Sequence, residues 1–340
     1  MKNKILSGEY RAGEKLPSKR VMADKSGCSV ITVEKAYNML IDEGYIISHQ
    51  RSGYFVCELE IFPANEQKKQ QLVFAYLDED KVASPNDDFE YSLWFKTIRK
   101  VISEKGDKLF IKSPSKGCAV LRNAIADYLL RYRGMIAEPQ QIIIGSGSEQ
   151  LYETAVKILG RERVYGIEDP SYAQIEAVYT GEGVRIEKLR MGADGIESDA
   201  LKRSGIDVLH VTPFCSYPTG VTTSILKRYE YLKWAKDGNY IVEDDFNSEF
   251  FIPGQPVESL YSLDLNESVI YINTFSKSLS PSMRMGYMIL PRHLMSVYDE
   301  KLGKFSCSVP VLDQYILAEF ISSGNFERHL NRMRRKMKYK

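Results

Sequence analysis

The sequence predicts an α/β protein of two units: a small N-terminal winged helix-turn-helix and a large domain on a mostly parallel sheet. Three observations lead there. Residues 17–56 carry two helical patterns split by a short Gly/Ser corner and followed by two short strands, residues 57–72 have the composition of a connector, and from about residue 73 strand-like apolar runs alternate with amphipathic segments. The 340 residues are 44% hydrophobic and 27% charged with a formal net charge of +1, an ordinary globular composition long enough for two domains. No apolar run approaches the ~20 residues of a membrane span, and "MKNKILSGEY" lacks the apolar core of a secretory signal, so a cytoplasmic location is expected. The five cysteines (Cys28, Cys57, Cys118, Cys215, Cys307) are scattered and never form C-x-x-C, which favours neither a disulfide framework nor a metal site.

In the small unit, Pro17 and Ser18 open the first helix and "SGCS" forms the corner. On the second helix Val33, Ala36, Tyr37 and Leu40 fall at i, i+3, i+4 and i+7 and are expected to be buried, leaving Ser29, Thr32 and Lys35 on the face offered to a major groove. "YIISHQRSGYFV" reads as a β wing with Arg51 at its tip and Gly53 permitting close backbone approach. Residues 1–56 hold nine Lys or Arg against six Asp or Glu, the sign that a polyanion partner requires. A helix-turn-helix also serves as a plain packing motif.

In the large unit the strand-like runs are "QQIIIG", "RVYGIED", "DVLHVTP", "NYIVEDD", "SVIYINTF" and "GYMILP". Parallel α/β sheets bind ligands beyond the carboxyl ends of their strands, so the informative residues follow each run. There, "GSGSEQ" (Ser146, Gly147, Ser148, Glu149) is a turn opening a helix, suited to a phosphate. Thr274, Ser276 and Arg284 add hydroxyls and a charged fork. Lys277 is an amine able to form a Schiff base, Asp244 a carboxylate able to pair with a protonated ring nitrogen, and Tyr172 an aromatic face for stacking. A phosphate, an aldehyde carbon, a pyridinium nitrogen and a flat ring describe pyridoxal phosphate. Taken singly, a lysine between serines is usually a solvated loop residue and "EDD" a surface cluster; their placement at successive strand ends is the signal.

Residues 1–56 resemble the GntR-family winged helix at "G-x-K-LPS-x-R", "TV-x-x-AY", "L-x-x-EGYI" and "SG-x-FV". That likeness implies that Lys19 and Arg20 meet phosphates, that Ser29, Thr32 and Lys35 lie on the recognition helix, and that Arg51 and Gly53 sit at the wing. Residues 73–340 resemble the large domain of fold-type I aminotransferases, pyridoxal-phosphate-dependent transferases, at "GSGSEQ", "EDPSY", "TPFCSYPTGV", "EDDFNSEF", "FSKSLSPSMRMGY" and "FERHLNRMRR". The whole chain is similar to the MocR/GabR regulators, in which the two are fused. The resemblance implies a homodimer on a double-stranded DNA operator, with Ser146, Gly147, Ser148 and Glu149 cradling the cofactor phosphate and an amine or amino-acid effector exchanging with Lys277 on the cofactor. The basic tail "RHLNRMRRKMKYK", which on charge alone suggests a nucleic-acid arm, becomes the helix leading into a small C-terminal domain.

The departures from the pattern shape the functional expectation. Val30 stands where the GntR family often has an arginine, Phe246 where a tyrosine would bond the ring's phenolic oxygen, Cys215 and Ser216 where relatives often carry His-Gln, and Tyr217 where aminotransferases carry the asparagine of "NPTG". The "Y-x-D" stretch appears as "FIKSPSKG", without its tyrosine. The opening helix is short, and Lys340 is expected to precede the small domain that supplies an arginine for a substrate carboxylate. These departures favour a regulator over the alternative, an amino-acid transaminase carrying a winged helix, and leave transamination weak or vestigial. A third reading, a large domain that has lost its cofactor, requires Lys277 to be idle.

Overall fold

The computed structural model describes residues 1–42, 44–49, 52–57, 89–236, 238–250 and 258–338. They form two compact units, one of residues 1–57 and one from residue 89 onward. Beyond Cys57, the connector expected over 57–72 lies outside the described residues, as does Arg51.

The small unit contains α1 (Lys2–Leu6), α2 (Lys19–Ser26), α3 (Val30–Asp42), β1 (Ile46–His49) and β2 (Gly53–Val56). Ser18 caps α2 by accepting from the Val21 N–H, and Gly27, left-handed at φ 64°, closes it by donating to the Ala23 carbonyl. Two residues later the Ser29 hydroxyl accepts from the Thr32 N–H at 3.1 Å and starts α3. Ile5, Leu16, Ala23, Val33, Tyr37, Leu40, Ile46 and Val56 pack as one core. Fully buried Tyr37 donates its hydroxyl to the Pro17 carbonyl at 2.8 Å, tying α3 to the entry of α2. Ala36, expected in the buried stripe, is exposed. In so small a module the packed stripe is narrow, spaced i, i+4 and i+7 through Val33, Tyr37 and Leu40, and the i+3 position falls off its edge. The wing pairs β1 with β2 antiparallel, Ile46 opposite Val56 and His49 opposite Gly53.

The large unit is built on a seven-stranded sheet of order β3-β9-β8-β7-β6-β4-β5. Its strands are β3 (Ile142–Gly145), β4 (Val164–Asp169), β5 (Arg185–Arg190), β6 (Val208–Val211), β7 (Tyr240–Asp244), β8 (Val269–Thr274) and β9 (Gly286–Ile289). β9 runs antiparallel to both β3 and β8; the other neighbours are parallel. β3, β6, β8 and β9 are buried throughout, which is why they read as unbroken apolar runs. β5 is absent from the expected strands. Its sequence, RIEKLR, carries the charge of an exposed edge strand, where polar residues block further pairing and erase the apolar signal.

Before the first strand of the sheet come α4 (Tyr91–Lys105) and α5 (Ala119–Arg133); between strands run α6 (Ser148–Leu159), α7 (Ala173–Gly181), α8 (Ser198–Arg203), α9 (Ile225–Ala235) and α10 (Leu260–Leu263); after β9 follow α11 (Leu294–Leu302), α12 (Val311–Ser322) and α13 (Asn325–Lys338). Ile143, Ile270, Ile272 and Met288 pack with Leu151, Ala155 and Tyr179 on one side of the sheet. On the other side Ile142, Ile144, Tyr271 and Tyr287 pack with Ile125 and Leu129 of α5, and with Leu317, Phe326 and Leu330. The basic tail is therefore no free arm over its described length. α13 buries Phe326 and Leu330 fully, and Arg334 Nε donates to the Glu249 carbonyl at 2.5 Å.

Arg228 on α9 is fully buried and spends its guanidinium on three carbonyls: Thr223 (3.1 Å), Pro213 (2.9 Å) and Glu258 (2.6 Å). It thereby clamps the loop that follows β6. Arg228→Leu is expected to destabilise the large unit by about 3–5 kcal/mol, because the carbonyls keep their burial and lose their donors; denaturant unfolding of the variant checks it.

Candidate functional site

At the carboxyl ends of β3, β6, β7 and β8 the large unit holds a cavity of about 340 Å³. Ser148, Glu149, Tyr172, Asp244, Thr274, Ser276, Lys277 and Arg284, eight residues singled out in the sequence, all line it. Ser146 and Gly147 lie in the adjoining turn but not in the lining; the Ser146 N–H is taken by the Gln150 side chain at 3.2 Å. Gly147 has φ 107°, and a Cβ there would come within 3.0 Å of the Arg284 guanidinium, so glycine is needed for both backbone and space.

The "EDD" run is divided by the two-residue period of a strand. Glu243 accepts from the Leu260 and Tyr261 N–H groups, and Asp245 from Tyr271 Oη at 2.6 Å, from Arg133 Nη1 at 3.0 Å and from the Ser248 N–H at 3.0 Å. Asp244 points the other way, into the cavity. It is 4% exposed; its Oδ2 accepts the hydroxyl of Tyr152, whereas its Oδ1 is buried with no hydrogen-bond partner. Behind it lie Tyr152, His210 and Tyr179, with Tyr179 Oη 2.7 Å from His210 Nδ1. Burial raises the phenol pKa of Tyr152 well above its ordinary value, so this group stays a donor.

Lys277 donates from Nζ to Asn247 Oδ1. Its ammonium lies 5.2 Å from the ring centroid of Phe246 and 5.5 Å from that of Phe250. Lys277 is exposed as a residue, yet partial desolvation of its amine lowers the pKa, opposed in part by Cys215 and Glu249. At the N-terminus of α6, Arg284, left-handed at φ 34°, pairs Nη2 with Glu149 Oε2 at 2.8 Å. Tyr172 meets Tyr217 edge-on at 5.9 Å between centroids. Beneath Tyr217, buried Glu168 braces the loop by accepting from the Thr212 N–H, the Thr212 hydroxyl (2.6 Å) and the Ser216 hydroxyl (2.7 Å).

In the small unit, Arg20 and Lys35 are exposed, whereas Lys19 is ion-paired with Glu34 and so bound to the recognition helix rather than presented alone. Ser29 and Thr32 are exposed with their hydroxyls 2.9 Å apart in the helix cap. Gly53, at φ 116°, lets β2 pass Lys15, whose Cε is 3.0 Å from where a Cβ would be.

Residues 1–56 match the family described as bacterial regulatory proteins, gntR family, and residues 86–340 match aminotransferase class I and II. The HTH-type transcriptional regulator YdeL of Bacillus subtilis is 34% identical, over 98% of this chain and 74% of its own length. The probable rhizopine catabolism regulatory protein MocR of Rhizobium meliloti is 29% identical, over 98% of this chain and 73% of its own. The chain belongs to the MocR-type transcriptional regulators. Among solved structures, the α-aminoadipate aminotransferase LysN of Thermus thermophilus, complexed with N-(5'-phosphopyridoxyl)-L-leucine, superposes with a TM-score of 0.65 at 28% identity, over 74% of this chain and 65% of that one. This MocR-type chain therefore joins a GntR winged helix to an aminotransferase fold. Among its described residues no helix is long and apolar enough to cross a membrane.

Sequence reasoning missed Tyr152, Asn247 and His210. Tyr152 stands four residues after Ser148, one helical turn further along the face of α6 that meets the cavity, and that spacing was the available signal. Asn247 sits in a loop whose path no periodicity describes.

Two outcomes are expected of this regulator. Lys277 should deprotonate at lower pH than a solvated lysine, so the pH profile of trace acetylation at the Lys277 peptide should have a midpoint below that of the other lysines. Arg20→Ala should weaken binding to all duplexes about equally and lower the slope of log affinity against log salt by about 1, as titrations at several salt concentrations would read.

Proposed function

We propose that this protein is a cytoplasmic, homodimeric regulator whose large unit holds pyridoxal phosphate and senses an amine or amino acid, and whose winged helices bind paired operator half-sites. The observation that carries the cofactor reading is Asp244, which lines a cavity that also holds an amine, an arginine and a helix N-terminus, and whose Oδ1 is a buried acceptor without a donor among the described residues. A buried acceptor left unpaired costs about 1–3 kcal/mol, and a protonated ring nitrogen is the donor it lacks. When bound, the cofactor supplies an aldehyde that condenses with amines and a ring that withdraws electrons.

The chain's own residues do the rest. Tyr152 occupies one oxygen of Asp244 and so aims the other at the ring, where the carboxylate keeps the nitrogen protonated. Lys277, its amine pushed toward the neutral form by burial and oriented by Asn247, is the nucleophile toward the aldehyde. Ser148, Thr274, Ser276 and Arg284 hold the phosphate at the start of α6, and Glu149 must yield Arg284 to it. Tyr172 covers the ring. Phe246 has no hydroxyl to offer, which favours effector sensing over efficient transamination. Sensing requires the effector to bind two states of the protein unequally.

Borohydride reduction of cofactor-supplied protein, followed by peptide mapping, should place a single pyridoxyl group on Lys277. Label on another lysine, or none at all, would overturn the assignment.

A further inference from the structure

The recognition helix presents an unusual first turn. Val30, Ile31, Thr32 and Val33 are all β-branched, and no acidic residue lies among them. Val33 goes to the core. Val30 and Ile31 do not: they are 43% and 67% exposed, although they are the residues that begin the helix. The polar groups of the same turn are occupied with one another, because Ser29 Oγ accepts from the Thr32 N–H at 3.1 Å and lies 2.9 Å from Thr32 Oγ1. Glu34 is likewise engaged, its carboxylate held by Lys19. Beside the exposed Ser29 and Thr32 hydroxyls, which are bonded to one another, the N-terminus of α3 therefore offers outward a pair of aliphatic side chains.

In helix-turn-helix proteins it is this end of the recognition helix that meets base edges. Guanine is read there by a bidentate arginine or lysine and adenine by asparagine or glutamine, and the first turn of α3 contains none of these. Among base edges in the major groove, the feature complementary to an aliphatic group is the C5-methyl of thymine. Stiff χ1 torsions in β-branched residues hold their methyl groups in place before contact, so little conformational entropy is lost on docking.

We propose that Val30 and Ile31 read the C5-methyl of thymine, so that each operator half-site presents at least one thymine to the first turn of α3. The inference rests on residues 1–56 being a DNA-binding module and deepens that reading by naming the base feature it selects. Lys35, one turn beyond Ile31 and exposed, supplies charge nearby without competing for the same base edge.

The test uses the full chain. Binding sites are selected from a random duplex pool, and each thymine of the selected half-site is then replaced by deoxyuridine, which removes only the methyl group. Binding is measured by fluorescence anisotropy for the wild type and for Ile31→Ala, a change at an exposed position whose fold is checked by circular dichroism. At one or two positions the loss of the methyl should weaken wild-type binding about three- to five-fold, the effect of one buried methyl-sized group. Ile31→Ala should abolish or reduce that difference while leaving the salt slope unchanged. At the same positions 5-methylcytosine should bind more tightly than cytosine. Half-sites selected without thymine, uniform indifference to the methyl group, or an Ile31→Ala protein with the wild-type thymine-over-uracil ratio would each overturn the inference. Failure to bind any duplex would instead refute the DNA-binding reading itself, and this inference with it.

Discussion

Two adjacent carboxylates at the end of β7 are both nearly inaccessible to water, and the structure around the cavity follows from how each is compensated. A buried carboxylate must find donors or take up a proton. Asp245 finds Arg133, Tyr271 and the backbone of its own loop, which forces the chain to turn back at Ser248. That turn places Phe246 and Asn247 beside Lys277. Asp244, sent to the opposite face, accepts from Tyr152 with His210 Nε2 3.9 Å away, and among the described residues its Oδ1 has no hydrogen-bond partner. The pleat of one strand thus sends neighbouring carboxylates to opposite faces, one into a dense set of donors and the other to the lining of the cavity.

This division explains what was legible in the sequence. Buried parallel strands announce themselves by unbroken apolar runs, and the residues just past them could be read in order; eight of ten candidates in the large unit line one cavity. β5 was not legible, since an edge strand made of RIEKLR has no apolar signature. Nor was the hydrogen-bond partner of Lys277, because Asn247 reaches it through a turn held at Asp245 by Tyr271, Ser248 and Arg133, the last more than a hundred residues away in the chain. In the small unit the helix-turn-helix was read correctly, while the width of its buried stripe was not: Ala36 faces solvent.

The large unit hides charge, with Arg228 and Asp245 at 0% exposure and donors or acceptors arranged around them. Both units also expose apolar groups; in the winged helix Ile31 and Met39 are among the most exposed large hydrophobic residues. Scattered aliphatics on a surface need no explanation, but these lie on α3, the second helix of the helix-turn-helix that matches the gntR family.

The register between β3 and β9 sets Gly145 opposite Gly286, and that between β8 and β9 sets Thr274 opposite the same Gly286. The cradle is therefore closed by segments about 140 residues apart, whereas every core residue of the winged helix lies within the first 56. Domains tend to fold as units, in order, as a chain leaves the ribosome. A nascent polypeptide consequently completes its winged helix while the sheet of the large unit is still open, and a translation product released before β9 emerges would carry a folded winged helix beside an unfinished cavity.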